Sequence, residues 1–275
     1  MQNQNFQSLD ISQRLQQRLG QGAKIIAVAS GKGGVGKSTV ALNIARMLIK
    51  NGLSVGLLDG DIYGPSLPHL LKHDEKPSRT PDGDIQPLLT AGLWSISMGY
   101  FLPPEVATIW RGPMVIKALK QFLFQVAWPK LDCLIIDMPP GTGDVHLTLA
   151  QATPLSGAVI VSTPQDLAYI DAQKAMDMFI KVNVPLLGLV ENMCSYTCPH
   201  CDKTSHPFGT EAMRARTAPV KIPLLGQIPL SLDLHHTNDT GTPLDPKDSP
   251  SMQCISDITD RLWYSLMTKK QSHQN

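Results

Sequence analysis

Gly31-Lys32-Gly33-Gly34-Val35-Gly36-Lys37-Ser38 follows directly on the apolar run Ile25-Ile26-Ala27-Val28-Ala29. The order is strand, glycine-rich turn and helix, and the stretch fits the phosphate-binding pattern G-x-x-x-x-G-K-[ST] with the required context on both sides. Backbone N–H groups can wrap a triphosphate only where no side chain blocks the approach, and glycine removes that block. The amides that open the next helix then face the phosphates, and the helix dipole favours their negative charge. Lys37 is spaced to reach the β and γ oxygens, and the Ser38 hydroxyl to ligate magnesium. The second lysine, Lys32, has two readings: a solvated surface cation, or a charge that meets phosphate on a facing subunit as an arginine finger does.

Outward from the loop, Val40, Ile44, Ala45, Leu48 and Ile49 recur at helical spacing as far as Asn51-Gly52. A strand over 54–58 then delivers Asp59-Gly60-Asp61 to its carboxyl end, where open α/β sheets place their ligands. Residues 64–83 read as an irregular surface excursion, followed by short strands around Leu88 and Ile96. A helix over 111–126 precedes an apolar strand over 131–136 that ends in Asp137-Met138-Pro139-Pro140-Gly141-Thr142-Gly143-Asp144. Further units are a strand over 158–162, a helix over 165–181, a strand over 186–190 running into Glu191-Asn192-Met193, a strand over 224–228 and a closing helix over 251–267. The alternation predicts an α/β fold with a doubly wound, mainly parallel sheet flanked by helices. One domain is expected over 23–270, with a metal-binding loop at 192–208. Residues 1–22 form an extension whose short helix over 9–19 packs loosely outside the sheet, and 271–275 a tail.

The chain has 275 residues, 42% hydrophobic and 17% charged, with formal net charge +1. That is enough for a substantial core, and the charge balance offers no polyanion-binding surface, so nucleic acid is not an expected partner. No apolar run has membrane-spanning length, and residues 1–21 lack a signal-peptide apolar core. The expectation is a cytoplasmic protein with no membrane partner; Arg14 and Arg18 leave a mitochondrial transit segment as the lesser alternative.

Hydrolysis of a nucleotide calls for magnesium between the β and γ phosphates and a group that orients water. Asp137, ending an apolar strand, suits the metal role directly or through water. Asp59 and Asp61 alternate along an extended segment and so share a side. Turn or helix capping is the plainer alternative for each, and for Asp144 capping and a switch contact stand level.

Five cysteines, Cys133, Cys194, Cys198, Cys201 and Cys254, form an odd and clustered set that argues for thiol or metal chemistry over a disulfide framework. Cys198 and Cys201 at C-x-x-C spacing put two sulfurs on one tight turn, suited to zinc, an iron-sulfur cluster or a redox pair. They are half of a 4Fe-4S site, and a symmetric homodimer supplies the other half. A single chain could instead hold zinc with Cys198, Cys201, His200 and His206. Cys133 and Cys254 read as packing residues, and Cys194 as a packed residue or an alternative ligand.

From Gly31 to Thr39 the chain resembles the deviant phosphate loop of the MinD/ParA-like ATPases, whose additional lysine corresponds to Lys32. With Asp59-Gly60-Asp61-Ile62-Tyr63-Gly64-Pro65-Ser66, Trp110-Arg111-Gly112-Pro113-Met114, the stretch from Asp137 to Asp144 and Cys198-Pro199-His200-Cys201, it is similar to the Mrp/ApbC iron-sulfur cluster carriers over residues 24–266. The resemblance implies an ATPase whose dimer bridges a 4Fe-4S cluster and passes it to apo iron-sulfur proteins, in company with cluster assembly scaffold proteins. It implies a catalytic set of Lys32, Lys37 and Asp61, with Asp61 acting on the attacking water and Lys32 reaching the partner's phosphates. ATP would be bound by Gly31, Lys32, Gly33, Gly34, Val35, Gly36, Lys37, Ser38, Thr39 and Asn192, the last reading the adenine edge. Magnesium (Mg2+) would be supported by Ser38, Asp59 and Asp137, and the cluster by Cys198 and Cys201. Cys194 departs from the small hydroxyl residue that most members carry.

A competing class is a positioning or partition ATPase of the MinD/ParA type, which works by nucleotide-dependent dimerisation on a membrane or DNA surface. The closing helix has Ile255, Ile258, Leu262, Trp263 and Leu266 on one side but Asp257 and Asp260 on its polar face, which reads as a core helix. A small-molecule kinase also uses such a loop and leaves the cysteine pair unexplained.

Overall fold

In β1 (Lys24–Ala29), Ile25, Ala27 and Ala29 enter one apolar cluster while Ile26 and Val28 enter another. Alternate side chains of a strand face opposite ways, so a strand apolar at every position belongs in a sheet covered on both faces. The computed structural model of the protein, which describes residues 11–102, 112–209 and 222–268, has that arrangement.

Among the described residues the sheet has nine strands: β1, β2 (Val55–Asp59), β3 (Leu88–Thr90), β4 (Leu93–Ile96), β5 (Cys133–Asp137), β6 (Gly157–Ser162), β7 (Leu186–Thr197), β8 (Thr204–Ser205) and β9 (Leu224–Leu230). Their order is β3-β4-β2-β5-β1-β6-β7-β8, with β9 paired to β7. Only β3 with β4 and β7 with β8 run antiparallel. One face carries α1 (Ile11–Leu19), α4 (Gly112–Phe124), α5 (Asp144–Ala152) and α6 (Asp166–Lys181). The other carries α2 (Lys37–Lys50), α3 (Leu67–Leu71), α7 (Leu232–Thr240) and α8 (Pro250–Thr268). The doubly wound, mainly parallel sheet expected from the sequence is therefore present. The carboxyl ends of β1, β2 and β5 lie side by side, because β1 and β2 both pair with β5 in parallel register.

Four local expectations change. The helix α1 is not loosely packed: Leu15 and Leu19 are fully buried, and the Leu19 carbonyl accepts the Leu131 N–H at 2.7 Å. Burying a leucine contributes roughly 1.5–3 kcal/mol, which outweighs the polar character of the rest of that helix. Arg18 adds an ion pair to Asp84 at 2.7 Å. The excursion over 64–83 contains α3, whose Pro68 sits in the first turn where a missing N–H costs nothing. Strand β7 runs on past Val190 to Thr197. Helix α7 has no counterpart in the sequence reading, since Thr, Asn, Asp and His are poor interior helix formers and only Leu234 and Thr237 are buried.

Helix α8 is a core helix, with Ile255, Ile258, Leu262 and Leu266 buried. No helix among the described residues is long and apolar enough to cross a membrane. Leu9, Trp110, Arg111 and the ends of both terminal segments lie outside the described residues.

Candidate nucleotide and thiolate sites

The glycine loop leaves β1 at Ser30, whose hydroxyl donates to the Lys32 carbonyl at 2.8 Å. Gly31 presses on α6: a Cβ there would come within 2.1 Å of the Asp171 carbonyl oxygen, so only glycine fits. Gly36 has φ +82° and precedes α2 as its N-cap, with no side chain capping the helix. The amides of the first turn of α2 are thus free of side-chain acceptors, which is the arrangement that receives an anion at a helix N-terminus. Gly33 and Gly34 are exposed at the tip, Val35 is buried beneath it, and Ser38 and Thr39 are half-buried at the start of α2.

Asn192 lies under this loop, 4% exposed, and its Nδ2 donates to the Val35 carbonyl at 2.9 Å. Its amide group is therefore a fastening of the loop, a role the sequence reading did not assign. Lys32 is half-buried and donates to Gln165 Oε1 at 3.1 Å, so it is anchored within its own chain and is not a freely solvated cation. Thr39 accepts from Asn238 Nδ2 at 3.3 Å, which brings α7 against the start of α2.

Lys37 turns inward, where its ammonium meets Asp137 Oδ1 at 2.6 Å and lies 3.5 Å from the Ser38 hydroxyl. Asp59 stands opposite Asp137 across the β2–β5 ladder. It is 1% exposed and takes three donors: the Asp61 N–H at 3.1 Å on Oδ1, and the Leu67 N–H at 3.2 Å and Ser97 hydroxyl at 2.9 Å on Oδ2. Burial first, and then the negative charge of Asp137, pushes the Asp59 carboxyl up to about 7. Two carboxylates in one buried site resist joint ionisation, and a cation relieves that resistance. Asp61 is half-buried and accepts the Gly64 N–H at 3.1 Å. Burial raises its pKa, while the Lys37 charge acts to lower it. Asp61 therefore shares the site with Lys37. Asp144 is not the helix cap: Gly143 holds that position, and Asp144 is an exposed acid in the first turn of α5.

Oxygen donors in this number suit a hard divalent cation such as magnesium. Ser38 and Asp137 flank the Lys37 ammonium directly. Asp59 is already held by its own chain on both oxygens, so its part is to shape the site and to hold negative charge near it.

The sulfurs sit elsewhere, at the end of β7. Tyr196 and Thr197 pair with Ser205 and Thr204, and the resulting hairpin carries Cys198 and Cys201 in its turn. The turn closes through Cys198 N–H to Lys203 O at 3.0 Å and Asp202 N–H to Cys198 O at 2.9 Å. The His200 N–H, then the Cys201 side chain and N–H, hold the Cys198 thiol below its ordinary pKa. Both sulfurs therefore face one another, with backbone amides favouring thiolate, as a metal or cluster requires. Among the described residues no group of three or more His, Cys, Asp or Glu side chains comes together to hold a metal ion. The single-chain zinc site is not formed, for His206 is tied through Nδ1 to the Cys194 carbonyl at 3.0 Å. Cys194 and Cys254 are half-buried and Cys133 is fully buried, and burial raises each thiol. All three behave as packing residues.

A glycine loop on the central strand of a parallel sheet, backed by an inward lysine and carboxylates from two neighbouring strand ends, defines a P-loop NTPase fold of the MinD/ParA kind. The cell division ATPase MinD of Pyrococcus furiosus shares this fold, with a TM-score of 0.62 at 22% identity over 88% of this chain and 99% of that one. A nucleotide-binding protein of Archaeoglobus fulgidus, solved in complex with ADP, is similar at 38% identity and TM-score 0.73, covering 83% of this chain and 90% of that one. The family model described as ParA, NUBPL iron-transfer P-loop NTPase, matches residues 21–263. The iron-sulfur cluster transfer protein NUBPL of Dictyostelium discoideum is 48% identical over 86% of this chain and 75% of its own length. The iron-sulfur cluster carrier protein of Escherichia coli is 50% identical over 80% of this chain, though the match spans only 60% of that relative. The chain belongs to this ParA-like family of iron-sulfur cluster carrier and transfer proteins.

Of the residues expected from the sequence, the loop, Asp59, Asp61, Asp137 and Asn192 come together, while Cys198 and Cys201 lie apart on their own hairpin. The sequence reading missed Ser97 on Asp59, Gln165 on Lys32, Asn238 on Thr39 and His146, which is buried near Lys37. Ser97, Gln165 and Asn238 come from distant segments and carry no local pattern. His146 lies two residues beyond Asp144, in the first turn of α5, where a polar residue at an inward position is the available signal.

Proposed function

We propose that the protein binds and hydrolyses ATP and carries an iron-sulfur cluster, held between two copies of the chain, to apo-proteins. The observation that carries this reading is the pair of facing thiols on the β7–β8 hairpin, which supplies half of the thiolates that a 4Fe-4S cluster takes. A two-fold homodimer that brings two hairpins together completes the set. Family membership supports the cargo, and the uncapped start of α2 with Lys37 and the glycine cradle supports the nucleotide.

In this reading the phosphates lie over the amides of 33–38, Lys37 turns from Asp137 to the β and γ oxygens, and Asp61 orients the attacking water. Magnesium, when bound, offsets charge on those oxygens; Ser38 and Asp137 hold it, with Asp59 acting through water. Lys32, steadied by Gln165, reaches the partner's phosphates. Asn192 keeps the loop in place and presents the rest of its amide to the adenine. The cluster is the substrate that is moved, and nucleotide turnover changes how firmly the paired hairpins hold it.

The test is anaerobic reconstitution with iron and sulfide. About four iron per dimer and a broad visible charge-transfer band are expected, and both should vanish in Cys198→Ala and Cys201→Ala. Cluster binding undiminished in those variants would refute the assigned site.

A further inference from the structure

His146 is 1% exposed in the first turn of α5, and its Nε2 has no hydrogen-bond partner. A buried polar atom left unpaired costs folding free energy, and its retention calls for an explanation. The surroundings supply one. The Lys37 ammonium has three N–H groups. One goes to Asp137 at 2.6 Å, and its other side-chain neighbour, the Ser38 hydroxyl, stands at the limiting distance of 3.5 Å. The segment that leads into α5 is fastened to the glycine loop by the Gly141 N–H to the Ser30 carbonyl at 3.2 Å, and the Lys37 charge acts on the His146 ring, so an unpaired imidazole nitrogen and an ammonium with one close acceptor lie within electrostatic reach of each other.

We propose that His146 is a positioning residue of the nucleotide site, its Nε2 lone pair accepting a hydrogen from the Lys37 ammonium when that ammonium turns from Asp137 to phosphate. Burial, and secondarily the positive charge of Lys37, lower the His146 pKa to about 4. The ring is therefore neutral at physiological pH and keeps one lone pair. A nearby cation favours the tautomer that points this lone pair toward it, with the proton on Nδ1. Lys37 then gives two hydrogens to phosphate oxygens and one to His146, which fixes the direction of the ammonium. Asp137 is released at the same moment to face the metal. No proton or electron is transferred in this step. The inference rests on the nucleotide reading above and adds to it the group that replaces Asp137 as the lysine's second acceptor.

The experiment compares His146→Leu and His146→Gln with wild type and with Lys37→Ala. ATP and ADP affinities with magnesium are measured by calorimetry, KM and kcat by phosphate release, and the nucleotide-free melting temperature alongside. Leucine removes the acceptor, and ATP affinity is expected to fall about tenfold, as for loss of a hydrogen bond to a charged group. Glutamine offers an amide oxygen in the same region and is expected to restore affinity to within about twofold. The nucleotide-free leucine variant should melt no lower than wild type, because an unpaired polar atom has been removed. His146→Met serves in its place if the leucine variant does not fold. Wild-type affinity in the leucine variant, or glutamine as weak as leucine, overturns the role of His146. Wild-type protein that binds no ATP overturns the nucleotide reading itself.

Discussion

Lys37 Nζ lies 2.6 Å from Asp137 Oδ1, and the two side chains are only 6% and 5% exposed. Removing one member of a buried pair leaves an uncompensated charge, a loss of about 3–5 kcal/mol. Lys37→Ala is expected to destabilise by that amount and to abolish nucleotide binding. Lys37→Ala with Asp137→Ala should recover much of the stability but none of the binding. Urea denaturation of both variants, with cluster absorbance after reconstitution, checks this. Cluster assembly should survive because the thiols use a different part of the chain.

The thiols make a separate prediction. Backbone amides hold the Cys198 thiol below its ordinary pKa, whereas burial raises Cys133. In the folded, cluster-free protein, iodoacetamide should alkylate Cys198 with a pH midpoint below that of a cysteine in an unfolded peptide and leave Cys133 untouched until denaturant is added. Peptide mass mapping across a pH series reads both. A Cys198 midpoint at or above that of an unfolded peptide would contradict the hairpin geometry.

The role proposed for Lys32 bears on assembly. Its anchor to Gln165 belongs to the surface of the loop and not to the core, so Lys32→Ala should cost less than about 1 kcal/mol in stability. Its monomer should still bind ADP, while dimer formation with ATP is lost. Sedimentation velocity with each nucleotide separates these outcomes.

Acid stability reports on two groups of opposite sign. The His146 pKa is lowered from 6.5 to about 4, so the stability it contributes is present above 6.5 and is lost as pH falls through 4. A shift of that size corresponds to about 3 kcal/mol. Asp59 is raised to about 7, so its contribution is full below its unfolded value near 4 and is lost as pH rises through 7. Wild type should therefore show a shallow net dependence between pH 4 and 7. His146→Leu removes the first contribution, and its stability relative to wild type should rise by up to about 3 kcal/mol on going from pH 7 to 4. Equal pH profiles for the two proteins would show that His146 is not buried as described.

The extension offers a check on the core. Leu15 is fully buried, and Leu15→Ala should cost about 2–5 kcal/mol by thermal or urea unfolding.

Much of this was legible in the sequence because the decisive signals are local. Strands apolar at every position announce a sheet covered on both faces, and the glycine loop announces what lies at its edge. Cys198 and Cys201 are three residues apart and could be read as a pair. What stayed hidden depends on contacts between distant segments. Asn192 fastens to Val35 across 157 residues of sequence, and Lys37 to Asp137 across 100. Helix α1 looked peripheral because its burial rests on Leu15 and Leu19 meeting a core assembled by later strands. Helix α7 was invisible for the opposite reason, its residues being poor helix formers held by their neighbours.

Strand β7 passes beneath the glycine loop at Asn192 and ends at Thr197, one residue before the first thiol. At about 3.3 Å per residue the two points are separated by roughly 17 Å of a single strand. Met193, with φ +57°, is the one joint along it. On the proposed function, nucleotide and cargo therefore hang from the same beam, with no domain boundary between them. Thermodynamic reciprocity then makes the balance two-way: whatever factor ATP applies to the grip on the cluster, the cluster applies to the grip on ATP.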